Sequence, residues 1–243
     1  ILLILFTGRA GCLAQEKQPE APEAFQQVFS ATQEALKHDP LIQNGVYYSY
    51  PYYNALGHPF LDTKEFGTGS VEFRGKHYDG LSINYDLFNQ HIILSWESEG
   101  ILQMSLLEPQ FVSGFQLKGK QFIKAEYQAG EPEFFQLISE TPRVSCYYSW
   151  YKERREVRDS GNRSIYSFSD QKNRRFLLLD GELYRYKSNK SILKLFPEAA
   201  RDQLRFYIQE NQLQVMEGSD QDMESFIVYC SGVLDQTTKQ GGE

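Results

Sequence analysis

The chain is poor in the residues on which most recognisable active sites are built. Among 243 residues there are three cysteines, four histidines and two tryptophans. Cys12, Cys146 and Cys230 are far apart, so no zinc or redox spacing of the Cys-x-x-Cys kind exists. His38, His58, His77 and His91 are scattered, and none belongs to a His-Glu-x-x-His pair. A Gly-x-Ser-x-Gly elbow is missing, as is a phosphate-cradling glycine loop ending in Lys-Ser/Thr. The common signatures of hydrolases, metalloenzymes and nucleotide-binding enzymes are therefore absent, and no cofactor or metal is expected. A catalytic group need not announce itself by motif, so enzymatic activity stays open.

Basic charge is also in deficit. Lys and Arg number 25 against 32 Asp and Glu, a formal charge of −7, and a phosphate backbone needs a concentrated basic surface. Nucleic acid is excluded as a partner on that ground. The single basic cluster, Lys152 to Arg158, is interrupted by Glu153 and Glu156 and followed by Asp159-Ser160-Gly161-Asn162, which reads as a solvated hairpin tip.

The apolar run Ile1 to Phe6 is too short to span a bilayer. It matches the core of a secretory signal, so residues 1–14 are expected to be a signal peptide and 15–22 a flexible leader. Two processing routes compete. Cleavage after Ala14 leaves small residues at the −3 and −1 positions, Cys12 and Ala14. Ala10-Gly11-Cys12 instead imitates a lipobox that would lipidate Cys12, but Arg9 stands where that motif wants Leu. Cleavage is favoured, with a periplasmic or secreted location; the alternative is a lipid anchor at the outer membrane. Lipidated Cys12 would be the sole membrane contact. In an oxidising compartment Cys146 and Cys230 are candidates for a disulfide, although both also read as separate buried thiols.

Hydrophobic content of 41% and aromatic content of 14% suit a packed β-rich core. Phe25, Val28, Phe29 and Leu36 follow helical spacing, which predicts a helix over 23–38 stopped by Asp39-Pro40. From Asn44 the period changes to two and turns recur about every ten residues. Strands are expected at 46–53, 69–74, 77–86, 91–97, 100–107, 110–117, 121–127, 133–139, 143–152, 164–169, 174–180 and 182–187. The joins Arg74-Gly75, Glu99-Gly100, Lys118-Gly119, Ser160-Gly161 and Asp180-Gly181 carry turn chemistry. Strands this closely spaced leave no room for helical crossovers, so the sheet must be antiparallel: a meander, sandwich or partial barrel. Helices are expected within 191–234: a turn or two at 191–196, then one from Pro197 to about Asn211. Another begins at Ser219 with Asp222 as a capping-box partner. The expected fold is thus mainly β with an N-terminal and two C-terminal helices, one module over 23–235, and a disordered tail at 236–243. A membrane β-barrel is disfavoured, because those helices and the polar tail fit poorly with a chain that ends in a barrel strand.

Within residues 69 to 94, alternation places Asp79, Leu81, Ile83, Tyr85 and Leu87 on one face and Tyr78, Gly80, Ser82, Asn84 and Asp86 on the other. Asp86 and His91 approach across the turn, while His77 lies roughly 25 Å away along the strand. Those three alone cannot converge on one metal ion. Glu97 and Glu99 share a strand face beside a turn. The run Tyr47-Tyr48-Ser49-Tyr50-Pro51-Tyr52-Tyr53 offers rings that can stack on sugars or wedge a partner peptide. The candidate ligand or partner face therefore comprises Tyr47, Tyr50, Tyr52, His77, Ser82, Asn84, Asp86 and His91. The leading reading is a non-catalytic protein that binds a protein or glycan through a sheet face. Its rival is a hydrolase of an envelope or dietary polymer, with at least two of Glu97, Asp86, His77, His91 and Glu99 in a cleft.

The segments Gly57-His58-Pro59-Phe60, Gly69-Ser70-Val71-Glu72-Phe73-Arg74-Gly75-Lys76-His77-Tyr78 and Ile83-Asn84-Tyr85-Asp86 carry a family pattern. The chain resembles a group of uncharacterised exported β-rich proteins of Gram-negative bacteria with the pattern "GxPF…GsVxYxGxxY…LxYD". The resemblance spans most of residues 44 to 234. It implies export and one continuous module, and it carries no activity or site residue.

Overall fold

The computed structural model describes residues 39–43, 45–125 and 133–240. The expected signal peptide 1–14, leader 15–22 and helix 23–38 lie outside the described residues. The structure is mainly β. In chain order it has α1 (Pro40–Gln43), β1 (Val46–Tyr47), β2 (Gly67–Phe73), β3 (Lys76–Asp86), β4 (His91–Ser98) and β5 (Ile101–Leu107). There follow β6 (Val112–Leu117), β7 (Lys120–Ala125), β8 (Glu133–Glu140), β9 (Val144–Tyr151), β10 (Arg154–Arg158), β11 (Ser164–Phe168), β12 (Lys172–Leu179) and β13 (Glu182–Tyr186). The chain closes with α2 (Asn189–Leu193), α3 (Glu198–Glu210) and α4 (Asp220–Gln240).

Eleven strands form one antiparallel sheet in the order β1-β5-β4-β3-β2-β6-β7-β8-β9-β12-β13, while β10 and β11 pair separately as an arm. Two meanders, β2 to β5 and β6 to β9, are joined where β6 returns to pair with β2. Four of the five turn signals act as expected. Arg74-Gly75, Glu99-Gly100, Lys118-Gly119 and Asp180-Gly181 each place both residues at positive φ, as a type I′ hairpin requires. At the fifth, Asn162 takes the positive φ instead, and Asp159 holds the loop by accepting from the Gly161 and Arg163 amides.

The sheet is rolled, and its ends do not pair. Tyr85 on β3 and Phe134 on β8 are separated by four strand steps, about 19 Å in a flat sheet, yet their rings are 6.0 Å apart. Tyr85 also meets Phe115 and Phe122 edge-on at 5.1 and 5.5 Å. The inside of the roll is one apolar cluster. Further along the same face, β9, β12 and β13 form a second cluster with α2, α3 and α4. Trp150 packs against both clusters. Its indole donates to Gln136 at 2.7 Å, and Gln136 in turn donates to Asp220 at the start of α4. The Trp150 carbonyl accepts from Gln90, whose own carbonyl accepts from the Tyr85 hydroxyl. A partly buried polar chain thus ties the roll to the helical layer.

The C-terminal helices follow their sequence signals. Ser219 and Asp222 form the reciprocal cap, with the Asp222 amide donating to Ser219 Oγ and the Ser219 amide donating back to the carboxylate. Met223, Phe226, Ile227, Cys230, Val233 and Leu234 are all buried. Pro197 is the N-cap of α3 rather than its first helical residue. Cys146 and Cys230 are free and buried, and burial pushes the Cys146 thiol up to about 12.

Four expectations are corrected. The strand expected over 46–53 ends at Tyr47, because Pro51 has no N–H to donate and the chain leaves the sheet edge. The basic stretch read as a solvated tip is strand β10, whose register runs from Arg154 opposite Phe168 to Arg158 opposite Ser164. The segment 236–240 is helical, not disordered: α4 runs on to Gln240, with Thr237 Oγ1 donating to the Val233 and Leu234 carbonyls. Tyr78 also belongs to the core, not to the polar face, and Asp79 is exposed. Ser70 faces both Asp79 and Gly80, so β3 carries a bulge there, and Gly80 supplies the positive φ of 64° that the bulge needs. The extra residue turns Tyr78 inward beside Leu81.

Candidate functional site

Between β1 and β2 the chain crosses the molecule as a strap, residues 48–66, and the sequence explains why it neither coils nor pairs. Pro51 and Pro59 interrupt any ladder, and Gly57 takes a positive φ of 74°. Main-chain bonds fasten it at successive points. The Tyr48 amide donates to the Met104 carbonyl. Leu56 bridges to β11 in parallel, giving its amide to Tyr166 and accepting from Phe168. Leu61 donates to the Tyr85 carbonyl and Leu87 to that of Pro59. The buried Lys152 ammonium donates to the His58 carbonyl at 3.0 Å.

The strap answers what the polar face of β3 is for. Asn84 is fully buried, and its amide nitrogen sits 3.1 to 3.3 Å from the carbonyls of Thr63, Lys64 and Glu65. Asp86 is also buried and caps the β3–β4 turn by accepting from the Phe88 and Asn89 amides and the Asn89 side chain. Ser82 is exposed and bonded to Ser95 across the sheet at 2.8 Å. His91 is half-buried opposite Asp86; burial lowers its pKa, and the Asp86 charge opposes that shift. His77 is exposed and pairs with Glu72 at 2.6 Å. His58 belongs to the strap, where burial and three nearby lysines lower its pKa. Glu97 and Glu99 are exposed beside the β4–β5 turn. Among the described residues no group of three His, Cys, Asp or Glu stands ready to hold a metal.

The aromatic run separates into different environments. Tyr47 is exposed on the edge strand β1. Tyr50 packs within the strap itself, stacked on Phe60 and edge-on to Tyr52 and Tyr53. Tyr52 is buried against Phe168 with ring centroids 4.9 Å apart. Tyr53 is 76% exposed. Pro51, Tyr52, Tyr53, Asn54 and Ala55 form one wall of an open cleft of about 480 Å³. Glu156, Ser164, Ile165 and Tyr166 of the arm form the other.

The arm is held in place by Arg154, whose guanidinium lies 4.3 Å over Tyr166, 4.8 Å over Phe88 and 5.8 Å over Tyr52. Such stacked cations hold rings at fixed spacing while keeping the charge partly solvated. Of the proposed face, only Tyr52 lines this cleft. Tyr53, Tyr166 and Arg154 were not among the candidates. Tyr53 lay inside the aromatic run, but its opposite wall comes from more than 100 residues away, with no local signal to connect them. Glu156, accepting from the Ser164 hydroxyl, is the one carboxylate of the lining, which holds no histidine, lysine or cysteine. The cleft can stack rings and offer hydrogen bonds, but it has no acid–base pair.

No described helix is long and apolar enough to cross a membrane. Comparison with protein-family models, curated proteins and solved structures finds no match to this chain.

Proposed function

We propose that this chain is an exported, non-catalytic binding protein whose ligand or partner seats in the cleft between the strap and the β10–β11 arm. One observation carries the reading. Two exposed rings, Tyr53 and Tyr166, stand on opposite walls of one cleft, on a frame made rigid by Arg154 and the Leu56 bridge. Exposed aromatics on a fixed frame contribute contact area at small entropic cost. The seat is thus the edge of the arm and not the polar face of β3, which the strap occupies. The rival hydrolase gains no support, since Asp86 is consumed by the turn, His77 by Glu72, and Glu97 and Glu99 flank an exposed hairpin end.

The test is a glycan array and a phage-displayed heptapeptide library, both probed with the full chain and with variants. Binding should fall about tenfold or more in Tyr53→Ala and in Tyr166→Ala. It should be unchanged in Tyr184→Ala, which removes an exposed ring on β13. Ligands indifferent to both cleft variants, or no ligand from either panel, would overturn the reading.

Export rests on the residue pattern of 1–14 and on the family resemblance. Intact mass after expression in a Gram-negative host should show a chain beginning at Gln15 without lipid. A diacylated Cys12 would support the anchored alternative, and an uncut chain would defeat both.

A further inference from the structure

We infer that the cleft accepts an extended segment of a partner polypeptide, added as a strand to the open edge of β11. This deepens the binding reading above and rests on it. The argument begins with which way the main chain of β11 points. Asp159 donates its amide to the Arg163 carbonyl and Ser169 donates to Glu153, both at 2.9 Å. The antiparallel register therefore turns residues 163, 165 and 167 toward β10. The N–H and C=O of one residue leave a strand on the same side, and successive residues alternate. Ser164, Tyr166 and Phe168 must then point away from β10.

The strap fills part of that outer edge. Leu56 takes the Tyr166 carbonyl at 2.8 Å and the Phe168 amide at 2.9 Å. Beyond it, residues 51–55 stand off from β11 as the far wall of the cleft. The Tyr166 amide and both main-chain groups of Ser164 are thus left facing the opening, in ladder sequence and next to a position where this edge already carries a parallel neighbour. A strand added there continues a ladder that exists, at the usual spacing of about 4.8 Å. Its main chain would supply affinity, and its alternate side chains would meet Tyr166 on one side and Tyr53 on the other.

A glycan is the weaker fit because, beyond the Tyr53 and Tyr166 hydroxyls, few side-chain polar groups are free to read its hydroxyls. The Glu156 carboxylate already accepts from Ser164, and Asn54 is the remaining amide of the lining. Charge does not select the partner either, since Arg155 pairs with Glu153 and Arg163 with Asp159 on the arm itself. What the edge offers is main chain, and main chain selects main chain.

The probe is a heptapeptide selected from the phage library on the full chain, with a version N-methylated at alternate residues. Binding should weaken about tenfold on N-methylation and in Ser164→Pro, which deletes an edge donor where a strand tolerates proline. Ser164→Ala keeps the main-chain amide and should weaken binding far less than Ser164→Pro, which separates the main chain from the hydroxyl. Hydrogen exchange at the Tyr166 amide should slow when the peptide is bound. Should Ser164→Pro fail to fold, the N-methylated peptide and the exchange measurement still decide. A peptide lost in Tyr53→Ala but indifferent to N-methylation and Ser164→Pro overturns strand addition and leaves the cleft reading intact. Enrichment of glycans alone does the same. Binding that ignores the rings as well as the edge overturns both.

Discussion

Asn84→Asp should destabilise the protein by about 3–5 kcal/mol, the range for an uncompensated buried charge. The native amide points its nitrogen at three strap carbonyls while its oxygen accepts from the Tyr85 amide at 2.9 Å. The carboxylate keeps the acceptor and turns the donor into an acceptor, so oxygen faces three oxygens. Such a group takes up a proton in preference to ionising in place. The sign of the pH dependence follows. With its folded pKa raised above the unfolded value, the variant binds more protons when folded and loses stability as pH rises from about 4 toward 7. Asn84→Leu has no charge, leaves the carbonyls unpaired and should cost about 2–3 kcal/mol with no such slope. Urea unfolding of the three proteins near pH 5 and near pH 8 reads both effects. Equal losses at both pH values would show that the strap tolerates an ion at this point.

Tyr85→Ala should be comparably severe, at about 3–5 kcal/mol. The side chain is fully buried at the point where β3 faces β8 across the roll, with three phenylalanine rings within 6.0 Å. Truncation leaves a void that rings on strands fixed by their ladders cannot close. Tyr85→Phe keeps the ring and removes the hydroxyl with its bond to Gln90, for about 1 kcal/mol. Near-ultraviolet circular dichroism should lose the aromatic signal of the roll in the first variant and keep it in the second. A loss under about 1 kcal/mol for Tyr85→Ala would mean that the roll is held elsewhere.

The sequence made local features legible and left non-local ones hidden. The hairpins were readable because Arg74-Gly75 and its counterparts encode their own backbone twist, and α4 because Ser219, Asp222 and a buried stripe are all within one helix. Gly80 shows the limit. A bulge is a mismatch between two strands, so nothing near Tyr78 says that its face will invert. Ser82, Asn84 and Asp86 were placed together on the outer side of β3, as the structure has them. Whether that side meets water depended on a strap arriving from elsewhere, and it covers Asn84 and Asp86 but leaves Ser82 exposed. β10 was missed because an arm outside the main sheet tolerates Arg154, Glu156 and Arg158 on one face, so its alternation is not hydrophobic. The cleft was half legible: the tyrosine run was visible, and its opposite wall was not.

The strap has a consequence in time. Its fastenings join residues far apart along the chain; Asp62 and Gln171 exchange hydrogen bonds across 109 positions. Contacts of such separation form late, because a long loop must close before they contribute anything. A ribosome or translocon delivers residues 48–66 well before β11 and Gln171 emerge. During that interval the strap can already fasten to the first meander through Pro59, Leu61 and Asn84, but Tyr52 has no Arg154 or Phe168 to settle against. The cleft therefore comes into being only after the arm that forms its second wall has been made. A chain interrupted before Arg154 would own most of its strands and lack the wall that Glu156, Ser164 and Tyr166 supply.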